Sequence, residues 1–554
     1  MPKITLNKQT LLKTIGKKLT DEQLADRMAM LGTDVEQITK HEIEVEVFPN
    51  RPDLLSEEGF ARALKTFLGT TKGLPTYKIN KSNYEVIVDK NVTMRPYSVC
   101  AVIKGIHFTD ERIRDIMQLQ EKLALTHGRN RKKSCYGLYP LENIHFPIKY
   151  IAKDPKTITF QPLGHTKAIR ADEVEEQHKT GKMYQHLTKG WKLYPFYIDA
   201  KNNILSMLPY TNSEDTGKIT TTTKNVFIEC TGTDLENVQQ ALTIIVTMLA
   251  DMGGKIYEVN MKYLGKTFST PQLEPTTMTI TINNVNKTLG LQLKEQDLKK
   301  LLEKMGYGYQ NKKVHIPAYR TDILHEVDII EDIAIAYGYE NFPTIIPNIT
   351  TQGKEAPMTT FKRKISELLI GLGLLETSTY HLSNKETQTT KINSTQEPIL
   401  LEDTKSEEYN VLRTSIIPSL LDVHNKNTHH NYPQNLFEMG TIFNPATNKQ
   451  TSETGIIENN HLAITLCGEA ADYTKIIQLS DYFFKQLNLE VNYEEPPRAF
   501  PTFIPGRVAA ITINGKMLGI IGELHPKVLN NFKLEQPTAA LELNLDILHK
   551  HLQD

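Results

Sequence analysis

Four carboxylates follow a proline turn. The string Pro317-Ala318-Tyr319-Arg320-Thr321-Asp322 runs on to Asp328, Glu331 and Asp332. Asp322 is expected to open a helix that continues to Tyr337. In that helix Asp328, Glu331 and Asp332 stand at i, i+3 and i+4 and share one face. Like charges on one face repel. A hard divalent cation bound through oxygen removes the repulsion, and Mg²⁺, which keeps part of its water shell, suits such a set. The same acids also suit the positive end of a helix macrodipole with no metal at all. The residues by themselves leave both readings open.

A second carboxylate stands out at Glu229. It is read at the end of the apolar strand Asn225–Cys230, where burial of an unpaired carboxylate is costly. Thr231-Gly232-Thr233-Asp234 follows and leads into a long helix, with a capping box expected at Thr233 and Glu236. Such a strand–loop–helix turn offers free backbone N–H groups to a polar ligand. Thr233 and Asp234 are equally good as plain helix caps. The basic run Arg129-Asn130-Arg131-Lys132-Lys133 suits either a solvated face or RNA phosphates. His429-His430 sits in a polar, Asn-rich stretch and reads as loop.

The elements that would position these groups fit a chain of several domains. At roughly 100–200 residues per domain, 554 residues give about three to five. Lys+Arg is 64 and Asp+Glu is 65, a balance that argues against wholesale wrapping of nucleic acid. Cys100, Cys135, Cys230 and Cys467 lie far apart without metal-ligand spacing, as expected of reduced thiols in the cytoplasm. No apolar run approaches the roughly 20 residues that span a bilayer.

Pattern reading gives four stretches. Residues 1–83 hold a helix capped by Thr20 and Gln23, a strand at 42–48, and a rigid turn, Pro49-Asn50-Arg51-Pro52-Asp53-Leu54-Leu55-Ser56, that starts a helix at Ser56. Residues 84–268 alternate strands (86–88, 98–106, 225–230) with helices (110–125 and one with its stripe through Val238, Leu242, Ile245 and Leu249). Residues 269–346 hold a strand at 278–282, an amphipathic helix at 294–305 and the acidic helix from Asp322. Residues 350–554 carry helices at 361–372 and 481–487. Their strands at 462–467, 508–513, 517–521 and 538–543 imply an antiparallel sheet with helices on one side. The class is α+β, multidomain.

These strings together resemble the β subunits of phenylalanyl-tRNA synthetases of the archaeal and eukaryotic type. Pro-x-x-Arg-x-Asp followed by the acids and Tyr337-Gly338-Tyr339 is similar to the family's B5 domain. That resemblance implies Mg²⁺ on Asp322, Asp328, Glu331 and Asp332, near a contact with the α subunit. The proline turn at 49–56 resembles the family's B1 domain. Tyr136-Gly137-Leu138, Phe160-Gln161-Pro162-Leu163-Gly164, Pro209-Tyr210-Thr211-Asn212-Ser213 and Ile228-Glu229-Cys230-Thr231-Gly232-Thr233-Asp234 resemble the B3/B4 editing domain. Asn212, Ser213, Glu229 and Thr231 are thereby implied to line a pocket that hydrolyses tyrosine misattached to tRNA(Phe). Two departures from the family pattern stand there. Tyr139-Pro140 replaces the frequent His-Asp, and Tyr210 replaces a second proline.

Asn435-Leu436-Phe437-Glu438-Met439-Gly440 and Gly522-Glu523-Leu524-His525-Pro526 resemble the family's class II synthetase-like domain. The chain lacks the ATP-gripping arginine motifs of that class, so the resemblance implies an inert copy. The absence of the longer bacterial form's extra domains is expected to place the chain with the archaeal type. The resemblance then implies an α₂β₂ ligase joining phenylalanine to tRNA(Phe) with ATP, giving Phe-tRNA(Phe), AMP and diphosphate, with ligation on the α chain. Two other roles fit the same residues: a free-standing hydrolase of mischarged tRNA, and a scaffold with a decayed editing pocket.

Overall fold

The computed structural model describes residues 2–348, 351–446 and 452–553. It divides into two compact units, Met1–Ile346 and Pro347–Asp554.

The first unit opens with a three-stranded antiparallel sheet in the order Lys3–Asn7, Glu42–Glu46, Asp34–Ile38. Thr20 and Gln23 form the expected capping box of helix Asp21–Met30. Ser56 caps helix Glu57–Phe67 by accepting from the Gly59 N–H at 3.1 Å. Arg51 and Asp53 of the proline turn form a buried two-pronged pair at 2.9 and 2.8 Å. Sequence reading treats that string only as a turn. Helix Lys8–Ile15, capped by Asn7, had no strong sequence signal and is an addition.

Two sheets then share one core. Five strands run in the order Ile79–Asn80, Lys255–Tyr257, Tyr97–Lys104, Asn225–Gly232, Ser134–Pro140. Seven others run from Thr211–Asn212 to Lys266–Thr270. Strand Asn225–Gly232 lies between Tyr97–Lys104 and Ser134–Pro140, antiparallel to both. Its residues alternate. Val226, Ile228 and Cys230 join the core that holds helix Leu235–Asp251. Phe227 joins Cys100, Cys135, Tyr139, Tyr150 and Tyr197 between the sheets. Glu229 and Thr231, in phase with Phe227, therefore face that inter-sheet layer. The strand runs past Glu229 to Gly232, so Glu229 is mid-strand rather than terminal. The helix cap is Asp234, not Thr233: its carboxylate accepts from the Glu236 and Asn237 N–H groups at 3.1 and 3.3 Å.

A three-stranded sheet follows in the order Thr276–Thr279, Lys313–Ile316, Gly308–Gln310, with helices Ile282–Leu289, Glu295–Lys304 and Glu326–Tyr337. The strand expected at 278–282 ends at Thr279, because Thr281 caps a helix by accepting from the Asn284 N–H. The acidic helix starts at Glu326, not Asp322. His325 is its cap, and Asp328 turns back to accept from the Leu324 and His325 N–H groups at 2.8 and 2.7 Å.

The second unit is built on a seven-stranded sheet in the order Leu375–Glu376, Gln434–Pro445, Ile456–Cys467, Thr538–Asn544, Lys516–Leu524, Phe503–Ile513, Asn492–Glu494. All pairs are antiparallel except the first. Helices cover both faces rather than one. Pro357–Gly371, Tyr473–Gln486 and Leu545–His551 pack into one core, and Ile417–Lys426 with Pro526–Asn531 into another. Strand alternation is apolar on both sides: Leu462 and Ile464 enter the first core, and Ala463 the second.

Candidate functional site: a buried carboxylate between two sheets

Glu229 and Thr231 are wholly buried. Register sets Glu229 opposite Gly137 on the neighbouring strand, and Gly137 supplies no side chain to block it. The Tyr139 hydroxyl reaches over from that strand. It lies 3.2 Å from Glu229 Oε1 and 3.1 Å from Asn212 Oδ1. Asn212 is held in turn by the Leu138 carbonyl, which accepts from its Nδ2 at 3.4 Å. Glu229 Oε2 is buried without a hydrogen-bond partner. Burial raises the Glu229 carboxyl from 4.5 to about 8, against the smaller opposing pull of the Tyr139 hydroxyl, Arg95 and Arg131. Burial, and next the Glu229 charge, push the Tyr139 phenol well up as well. Near neutral pH this is a mostly protonated acid facing a neutral phenol.

Thr231 takes a separate place. Its hydroxyl lies 3.3 Å from Cys135 Sγ, and its carbonyl accepts from Arg95 Nη2 at 3.0 Å. Arg95 is itself buried, its Nη1 bonds the Arg131 carbonyl at 3.0 Å, and its Nε has no partner. Arg131 belongs to the basic run, yet its guanidinium turns inward. It donates to the Pro209 and Tyr210 carbonyls, both at 2.8 Å, and lies over the Tyr184 ring. Ser213 is buried at the end of the Asn212 segment, where its N–H bonds the Leu205 carbonyl at 2.8 Å. It also lines a cavity of about 430 Å³ with Asn143, Asn203, Asp215 and Thr216. Of the four residues singled out in sequence, Glu229 and Asn212 thus meet on one hydroxyl, whereas Thr231 and Ser213 have other partners. Arg95 and Arg131 were missed as members of this cluster, and Tyr139 was read only as a departure from the family pattern. Gly137-Leu138-Tyr139 carried a usable signal, since a strand residue two positions from a glycine can lay its ring over it.

The four acids of the turn and helix do not converge. Arg320 grips Asp322 through Nε and Nη2 at 2.8 and 2.7 Å, and Asp332 through Nη2 at 2.7 Å. Tyr307 donates to Asp332 as well. Asp328 Oδ2 is engaged in the helix cap. Glu331 is exposed, with no hydrogen-bond or ion-pair partner among the described residues. Arg320 thus supplies the positive charge that the acid pattern had suggested for a metal. Among the described residues, three acidic side chains bring ligand atoms within 4.8 Å of one another only at Asp34, Glu36 and Glu46, where Lys3 already pairs with Glu36 at 2.8 Å.

The four cysteines are free and buried, and no helix among the described residues is long and apolar enough to cross a membrane.

Family models match along the chain. "Phe-tRNA synthetase beta subunit B1 domain" covers residues 1–70, "tRNA synthetase B5 domain" covers 278–339, and "Phenylalanyl tRNA synthetase beta chain CLM domain" covers 342–545. The phenylalanine–tRNA ligase beta subunit of Pyrococcus horikoshii is 38% identical over 564 residues, with 100% of each chain covered. That of Archaeoglobus fulgidus is 37% identical over 554 residues, with 98% of each covered. A crystal structure of an N-terminal fragment of the Pyrococcus horikoshii phenylalanyl-tRNA synthetase β subunit aligns at a TM-score of 0.59 and 39% identity. It covers 61% of this chain and 100% of the fragment. Matches of this identity along the full length mean that the chain belongs to the phenylalanine–tRNA ligase β-subunit family.

Proposed function

We propose that this chain is the non-ligating subunit of an α₂β₂ phenylalanine–tRNA ligase. An α companion activates phenylalanine with ATP and loads tRNA(Phe). This chain supports α, contacts the tRNA and clears mischarged Tyr-tRNA(Phe). The division of labour is carried by the state of the arginines in the second unit. Adenylation needs cations free to meet phosphate oxygens. That unit has four arginines. Arg363 pairs with Glu355 at 2.8 Å, Arg413 with Glu438 at 2.6 Å and Arg507 with Glu523 at 2.8 Å, while Arg498 lies over the Phe500 ring. Purified alone, this chain is expected to form no phenylalanyl-adenylate, and co-expression with α is expected to give ligation. Adenylate formed by this chain alone would falsify the assignment.

In this reading clearance takes place at the inter-sheet cluster. A buried carboxyl beside Asn212 has the means to recognise a phenolic hydroxyl, and a site built around such a bond rejects the analogue that lacks it. Tyr-tRNA(Phe) deacylation by the assembled ligase should fall with Glu229→Ala and with Thr231→Val. Rates in both variants equal to that of the parent would argue for a scaffold role only. Mg²⁺ on Asp322, Asp328, Glu331 and Asp332 fits these residues in part. Asp328 Oδ1 and the whole Glu331 carboxylate remain open, and Asp322 and Asp332 keep lone pairs beyond those that Arg320 uses. When bound, the ion would balance the acidic face. Cytoplasmic residence accords with buried free thiols.

A further inference from the structure

The space beside Glu229, between the sheets, is filled by a phenol that belongs to the chain. Tyr139 is fully buried. Its ring runs back along its own strand over Gly137, where an added Cβ would come within 2.5 Å of the Tyr139 hydroxyl and 2.6 Å of Glu229 Oε1. One side of the ring meets Phe227, with centroids 5.9 Å apart. The hydroxyl has a single hydrogen to share between Glu229 and Asn212, while Glu229 Oε2 stays unpartnered. An apolar slot with two hydrogen-bonding groups at its far end is the shape of a receptor for a para-hydroxyphenyl group.

We infer that Tyr139 is an internal ligand that fills the phenol subsite of this pocket and competes with the tyrosyl group of a mischarged tRNA. This rests on the clearance reading above and deepens it. Tyr139 becomes the residue that sets how readily the site accepts its substrate. A phenylalanyl group brings nothing to satisfy Glu229 and Asn212, so it cannot displace the internal phenol on equal terms. A tyrosyl group can, because it restores the same bonds when Tyr139 swings out.

The test uses the full chain with Tyr139→Ala and, as a better-packed version, Tyr139→Leu. The probe is p-cresol, the tyrosine side chain with a hydrogen in place of the backbone, with toluene as its hydroxyl-free counterpart. Apolar cavities opened by truncation bind small aromatics. The variants are expected to bind p-cresol saturably and at least about tenfold tighter than toluene, because toluene leaves the buried polar pair unsatisfied. The parent chain should bind neither. Should Tyr139→Ala unfold, p-cresol is expected to restore its circular dichroism spectrum and toluene is not. Lack of any preference for p-cresol, or lack of such rescue, overturns the inference. In the assembly with α, Tyr139→Ala should deacylate Tyr-tRNA(Phe) about tenfold faster than the parent. No gain in deacylation would overturn the competition even if p-cresol binds selectively, whereas the clearance reading stands or falls on the loss in Glu229→Ala, so the two failures are distinct.

Discussion

Arg413 donates to Glu438 across 2.6 Å with both side chains sealed inside the second unit. The guanidinium also bonds the Thr441 carbonyl at 2.9 Å and Thr379 Oγ1 at 3.0 Å, and Thr379 bonds the other Glu438 oxygen at 2.7 Å. The charge is thus absorbed within the fold. Removing one partner of such a pair leaves an uncompensated buried charge. Glu438→Ala is expected to destabilise the unit by about 3–5 kcal/mol, while Arg413→Met with Glu438→Leu recovers most of that loss. Urea unfolding of the three proteins checks this. A single variant as stable as the parent would contradict the burial.

Arg320 stands where a cation was expected. Arg320→Met removes the guanidinium that bridges Asp322 and Asp332. The Tm of that variant should fall in metal-free buffer and recover more with added Mg²⁺ than the Tm of the parent. Equal Mg²⁺ responses would show that the acids do not gather a metal even when their arginine is gone.

The Glu229 carboxyl carries a pH signature. Its folded value of about 8 lies above its ordinary 4.5. The native state therefore binds more protons through that window, and the contribution is complete below about 4.5 and lost as pH rises through about 8. Burial also raises Glu57 to about 7 and Glu58 to about 9, so the parent slope is shared. Glu229→Gln isolates one share. Its stability relative to the parent should grow by a few kcal/mol between about pH 5 and pH 9, at about 1.4 kcal/mol per unit. A constant difference across that range would mean an ionised native carboxylate.

Asp234 holds the first turn of helix Leu235–Asp251 and also meets Lys133 at 3.4 Å. Asp234→Ala should cost about 1 kcal/mol, and Thr233→Ala much less. Chemical denaturation compares them, and an equal loss in both would restore Thr233 as the cap.

Much of the fold is legible in residue pattern. Helix Asp110–Leu125 ends where its spacing says, since local propensity, cap and apolar stripe agree. The misses share a cause. At Asp322 the guanidinium of Arg320, two residues back and bridging on to Asp332, takes the carboxylate that sequence spacing assigns to a helix start. In the second unit the sheet is apolar on both faces, which alternation of a single strand does not distinguish from one covered face. At the candidate site, Glu229 announces itself as a carboxylate in an apolar strand. Tyr139 and Arg95 do not, because only strand pairing and the second sheet bring them near. Tyr139, read as a departure from a family pattern, is in the structure the closest partner of the residue that pattern singles out.

Strand Glu85–Val88 pairs in parallel with Val259–Tyr263, and Ile79–Asn80 with Lys255–Tyr257. A newborn chain must therefore keep its early strands waiting. At about 5–20 residues per second, roughly 10–35 s separate the emergence of the two halves from the ribosome. During that interval Glu85–Val88 can pair with Ile148–Lys153 on one side, but its other edge stays open until Val259–Tyr263 arrives.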